Sequence, residues 1–174
     1  MPSLTYLKVS LMRRLRLFLA AIVTAVSLAS PTTAAITTAV TSVKVVKPVS
    51  LSKLQDMDFG TLTFAAFTGT RTIALSRLGA VTCAVDIVCS GVPKQARFNL
   101  QGSNNSTVLL TYTGGTLSNG IDSIPFTANG QASMVIANSG SPGTNFDVGG
   151  SLTISPALVG GVYSGTMTVT ADYQ

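Results

Sequence analysis

From residue 163 the chain alternates in polarity. Tyr163, Gly165, Met167, Val169, Ala171 and Tyr173 share one parity, and Ser164, Thr166, Thr168, Thr170 and Asp172 share the other. An apolar row opposite a row of hydroxyls and one carboxylate predicts a half-buried β-strand over 162–173. The same period recurs upstream. In NFDVGGSLTI (145–154) Phe146, Val148, Leu152 and Ile154 share a face. In STVLLTYT (106–113) Val108, Leu110 and Tyr112 do, and in RTIAL (71–75) Arg71, Ile73 and Leu75 do. ARFNLQG (96–102) and ASMVIAN (132–138) are shorter candidates. Between these runs lie QGSNNS, TGGTLSNG, TANG, NSGSPG and LVGG, segments rich in turn residues. Asn119-Gly120 and Asn129-Gly130 accept the positive φ angles of hairpin turns. Gly149-Gly150 and Gly160-Gly161 read as bulge or turn positions. Nothing after residue 35 keeps a helical period, so the expected fold is all-β, a sandwich or barrel of short antiparallel strands.

The segment 36–64 is less regular. Val43, Val45, Val49 and Leu51 alternate, with Lys47 the exception, which predicts a first strand over 43–51. Ile36 and Val40 have the opposite parity. The register therefore breaks near residue 41, and 36–42 stands as an apolar extension ahead of the sandwich.

The start of the chain carries a different pattern. Lys8, Arg13, Arg14 and Arg16 precede the apolar run LFLAAIVTAVSLA (17–29), and small residues follow in SPTTAA. That layout predicts a secretory signal peptide over 1–35, cleaved after Ala34 or Ala35, with Ala29 as another site. An uncleaved anchor is the rival, but a span needs about 20 apolar residues and Pro31 interrupts this run. Processing would leave no membrane span and a single domain over 36–174. It also changes the charge. The whole chain holds 11 basic and 6 acidic residues, net +5; without the four signal bases the balance is 7 − 6 = +1. The remaining bases are scattered, so no nucleic-acid partner is expected.

Candidate chemistry is sparse. The chain has no histidine, which removes the usual general base and the commonest metal ligand. No nucleophile–base pair can be named, and no enzyme, cofactor or metal site is expected. Asp56 and Asp58 could share a cation on one strand face, but Asp58 binding backbone amides ahead of Phe59-Gly60 is the simpler use. Cys83 and Cys89, the two cysteines, read as a disulfide in an exported protein. Six residues of extended strand span about 20 Å, while bridged Cα atoms sit roughly 4.4–6.8 Å apart. The chain must therefore reverse between them, around Asp86. NNST (104–107) contains formal glycosylation sequons and reads as a polar turn. Tyr112, Tyr163 and Tyr173 are expected to pack with their hydroxyls at a rim.

Taken in order, VKPVSLSKLQDMDFGTLTF, FNLQGSNNSTVLL, FDVGGSLTI and GVYSGTMTVTADYQ resemble the secreted bacterial family catalogued as domain of unknown function 4402. That family in turn resembles fimbrial major subunits of the chaperone–usher type. The resemblance implies an immunoglobulin-like antiparallel β-sandwich, exported through the periplasm to the cell surface or an extracellular fibre. Expected partners are identical subunits, with a periplasmic chaperone and an outer-membrane usher. Assembly would proceed by β-strand addition. The extension, with Ile36, Ala39 and Val40, is the candidate donor. The strand carrying Tyr163, Met167, Val169, Ala171 and Tyr173 would border the accepting groove. The competing expectation is a monomeric secreted or periplasmic adhesive module, using the polar loops 101–107 and 138–144.

Overall fold

The computed structural model describes residues 34–174, so the signal-peptide expectation lies, up to residue 33, outside the described residues. Contacts divide the chain into two units, Met1–Val43 and Lys44–Gln174. In the first unit, residues 34–43 form no strand and are exposed. In the second, the alternating runs become antiparallel strands. These are β1 (Ser50–Gln55), β2 (Thr61–Phe64), β3 (Arg71–Leu75), β4 (Val81–Thr82), β5 (Ile87–Ser90), β6 (Ala96–Gln101), β7 (Thr107–Thr113), β8 (Gly115–Ser118), β9 (Ser123–Asn129), β10 (Ser133–Val135), β11 (Thr144–Ile154) and β12 (Thr168–Tyr173). No helix occurs among the described residues. The chain is all-β, as its periodicity predicts.

Two layers enclose the core. β1, β6 and the first half of β11 pair in one sheet, and β10, β7 and β12 in the facing one. Phe98, Leu100, Phe146 and Val148 from the first meet Val108 and Leu110 from the second, with Ile136 just past β10. The Phe98 and Phe146 rings stack with centroids 5.6 Å apart. The second half of β11 turns to new partners, β3 on one side and β9 on the other. There Ile73, Leu75, Ile124, Phe126, Leu152 and Ile154 build a second cluster around Phe59 and Ile87.

The change of partners falls at Gly149-Gly150. Val148 still pairs with Ala96 of β6, whereas Gly150 pairs with Leu75 of β3 and Ala128 of β9. A Cβ at Gly149 would strike the Leu75 carbonyl, and one at Gly150 the Phe126 ring. These glycines thus lie inside one continuous strand, not at a turn. They are glycines because two backbones and a ring approach them closely.

The first strand differs from expectation. It begins at Ser50 rather than residue 43, and Val43 and Val45 are each 86 % exposed. The cause is the partner. β1 pairs with β6 only from Ser50 opposite Gln101, after which the chain leaves β6 through the turn at 102–106. Residues 43–49 have β-type sequence and, among the described residues, no neighbouring strand to pair with. The last strand is also shorter than its alternation. Its ladder with β7 covers Thr168–Tyr173, and upstream there is one isolated bridge, Ser164 with Ser118. Thr168 pairs with Thr113, so 118 − 113 = 5 residues of β7–β8 oppose 168 − 164 = 4 of the C-terminal strand. The extra residue lies between Thr113 and Ser118, where the ladder breaks.

Candidate functional site: a groove between two unpaired edges

β12 pairs with β7 and β1 pairs with β6, and among the described residues each has its other edge without a strand partner. Which backbone groups point to that open side follows from the register. The Gln174 N–H donates to the Thr107 carbonyl at 3.1 Å, and Ser164 exchanges both of its bonds with Ser118 at 2.8 and 3.0 Å. In an antiparallel ladder such bonded pairs recur every second residue. Even-numbered residues of the terminal segment therefore bond inward to β7 and β8. The N–H and C=O groups of 163, 165, 167, 169, 171 and 173 point outward, along a single unpaired edge. The same odd residues carry the apolar row. Tyr163, Met167, Val169, Ala171 and Tyr173 are each only half-buried, while Val108 and Leu110 on the neighbouring β7 are fully covered.

A groove lies between the chain that follows β1 and the chain that precedes β12. Its walls are residues 55–62, following β1, and 158–167, preceding β12. Its floor is core: Phe98, Phe126, Leu152 and Ile154. The cleft measures about 740 Å³. A smaller one of about 420 Å³ continues the line between 46–49 and 171–173.

The two ends of the groove differ. At the far end, the Tyr173 hydroxyl donates to the Lys47 carbonyl and accepts from the Ser103 N–H, each at 2.6 Å. The Lys47 N–H donates to Ser103 Oγ at 2.6 Å, which ties β12, the 46–49 segment and the β6–β7 turn together. At the near end lies the glycine loop before Tyr163. Asp122 Oδ2 accepts from the Val159 N–H at 2.9 Å, and the Tyr163 hydroxyl donates to the Val159 carbonyl at 2.7 Å. Beyond that anchor, Gly160, Gly161 and Val162 are exposed. The tyrosines thus pack with their hydroxyls at the rim, as does Tyr112, which donates to the Gln131 carbonyl at 2.9 Å.

One wall is braced by the disulfide. Cys83 and Cys89 are bridged with Cα atoms 6.3 Å apart, and the chain reverses at Val85-Asp86. The Ile87 N–H donates to the Ala84 carbonyl there at 3.0 Å. Cys89 pairs across the ladder with Leu62, and Ile87 with Phe64, both residues lining the groove. Arg71 holds the outside of the same loop through Asp86 Oδ2 at 2.6 Å and lies over the Phe67 ring at 5.1 Å. Asp58 Oδ1 accepts from the Gly60 N–H at 2.8 Å, and Asp56 pairs with Lys53 at 2.6 Å. The two carboxylates have separate partners and do not converge. NNST is a polar turn, with Asn105 at a φ of 56°.

Of the donor candidates, Ile36 and Val40 are 88 % and 99 % exposed, and Ala39 is exposed beside them. Sequence reasoning placed Tyr163 and Met167, which line the C-terminal wall, on one strand face and predicted the disulfide, but it did not point to the wall at 55–62 or to the floor. Phe59 follows an isolated bridge at Asp58 rather than an alternating run, so its burial left no periodic signal.

The model of a protein family described as a domain of unknown function (DUF4402) matches residues 49–173. No curated protein and no solved structure matches the chain.

Proposed function

The chain belongs to the DUF4402 family, and from that premise we propose that it is the structural subunit of an extracellular fibre, assembled by β-strand addition. One observation carries this reading: a groove whose floor is the hydrophobic core is walled by the segment that precedes β12, a strand paired on one side only among the described residues. A strand inserted there would satisfy the outward N–H and C=O groups of the terminal segment and cover its half-buried row. The same chain supplies an exposed, β-branched, glycine-free segment ahead of its first strand. Export to the cell surface follows from this role, and a periplasmic chaperone and an outer-membrane usher are the partners that would shield the groove before assembly.

Deleting residues 36–42 tests the proposal. Electron microscopy of the secreted deletion variant should show no fibres, while full-length protein forms them. Fibres from the deletion variant, or a full-length protein that is a stable monomer under the same conditions, would favour a secreted adhesive module instead.

A further inference from the structure

Two methionine sulfurs lie in the groove, and strand addition makes no use of them. We propose that Met57 and Met167 are an oxidation site that governs the groove: peroxide converts both thioethers to sulfoxides, and the oxidised groove no longer takes an apolar occupant. The effect on occupancy rests on the function proposed above; the site and its effect on stability do not.

The described residues contain three methionines, Met57, Met134 and Met167. Met57 and Met167 line the cleft of about 740 Å³ from its two walls. Met57 lies between β1 and β2, and Met167 directly precedes the β12 ladder. Both are half-buried. Each packs against both core clusters, the one around Phe59 and Ile73 and the one around Phe98 and Leu100. Ala128 also touches both clusters, but it does not line the groove. The two methionines therefore occupy the seam between the clusters at the place where the groove opens it to solvent. An unbranched, flexible side chain suits such a seam. A leucine of similar volume would fill it too; what methionine adds is a sulfur that peroxide can reach. Met134 is half-buried on β10, packs against the Phe98 cluster and does not line the groove.

The chemistry needs only an external peroxide. A sulfur lone pair attacks one oxygen of hydrogen peroxide. The S–O bond forms as the O–O bond breaks, and the other oxygen leaves as water once the proton has moved to it. Sulfur is oxidised by two electrons and the peroxide is reduced. The new S=O group is a strong hydrogen-bond acceptor beside Phe98, Phe126, Leu152 and Ile154, whose side chains have no donor to offer it. Covering that oxygen without a partner is costly. In the open groove, water or an outward N–H of the terminal segment can pair with it. An inserted apolar strand would displace the water and need the N–H for itself. Oxidation thus favours the empty groove. It also puts a polar group between two clusters that the thioethers had joined, which weakens the fold.

Leucine variants separate the groove sulfurs from the third. Full-length protein is treated with hydrogen peroxide before assembly, and the oxidised residues are located by peptide mass spectrometry. The variants M57L/M167L and M134L are treated alike. In wild type and in M134L, oxidation of both groove methionines should lower the urea midpoint and cut fibre yield roughly tenfold, the scale of one unpaired polar group. M57L/M167L should keep its midpoint and its yield. In fibres already formed, Met57 and Met167 should be protected while Met134 reacts as before. If the double variant does not fold, M57L and M167L alone, each with one groove sulfur left, should each lose less than wild type. Groove methionines that stay unoxidised while Met134 reacts, or an equal loss in M57L/M167L, overturn the proposal. A lowered midpoint with fibre yield intact overturns control of the groove. Absence of fibres from untreated protein overturns the fibre role alone, and the urea midpoints still decide the oxidation site.

Discussion

Gly165 shows what one residue contributes to the edge. A Cβ there would collide with the Thr116 carbonyl and the Leu117 side chain of β8. Gly165→Val is expected to cost about 1–3 kcal/mol by overpacking, read as a lower urea midpoint, and to detach the Ser164–Ser118 bridge. An unchanged midpoint would mean that this approach is looser than described. Asp147 gives a pH-dependent counterpart. Arg97 opposes it across β6 and β11, with Nε 2.7 Å from Oδ1 and Nη2 3.0 Å from Oδ2. The hydrogen bond from Arg97 holds the Asp147 carboxyl below its ordinary value, more than partial burial raises it. A carboxyl depressed on folding adds stability above its unfolded pKa of about 3.9, and that stability disappears as pH falls through the lower folded value. The urea midpoint of wild type should therefore exceed that of Asp147→Asn at neutral pH, and the gap should close in acid. A gap constant with pH would remove the ion pair as its cause. Buried residues were legible at this scale wherever alternation was strict: Ile73, Leu75, Phe146, Val148, Leu152 and Ile154 all lie inside. Phe59 was not, because it follows the regular part of its segment.

Among the elements, strand existence was easier to read than strand extent. β3, β7 and β11 fall where period-2 alternation places them. The first strand does not, because pairing needs a neighbour and β6 ends opposite Ser50. The same limit hid the extra residue between Thr113 and Ser118, a property of two strands compared and not of either alone. The disulfide loop was readable because covalent geometry demands a reversal between cysteines so close in sequence. Its closed loop of 7 residues, 83 to 89, corresponds to about 2.4 kcal/mol in the chain-entropy model. Replacing both cysteines by alanine should lower stability by about that amount in urea unfolding. The loss should be local first, with β2 and β5 gaining hydrogen-exchange rate ahead of β7 and β11. Uniform acceleration across all strands would contradict a brace specific to the groove wall.

At the scale of the whole molecule, the groove was only half visible in the sequence. The terminal strand showed its apolar row, but a gap between strands has no residues of its own and leaves no pattern. It emerges once β1 and β12 are placed with open edges over a shared core. An open core face also predicts marginal stability for an isolated subunit whose groove is empty, and a gain when a strand fills it. The most direct measurement is the thermal midpoint of the variant lacking residues 36–42, titrated with a synthetic peptide of residues 36–45. The midpoint should climb with peptide concentration, the stabilisation reaching about 2.7 kcal/mol at a hundredfold excess over Kd, while a peptide with Val43 and Val45 replaced by Asp should have no effect. A midpoint that stays flat at every peptide concentration would contradict the groove as a strand acceptor.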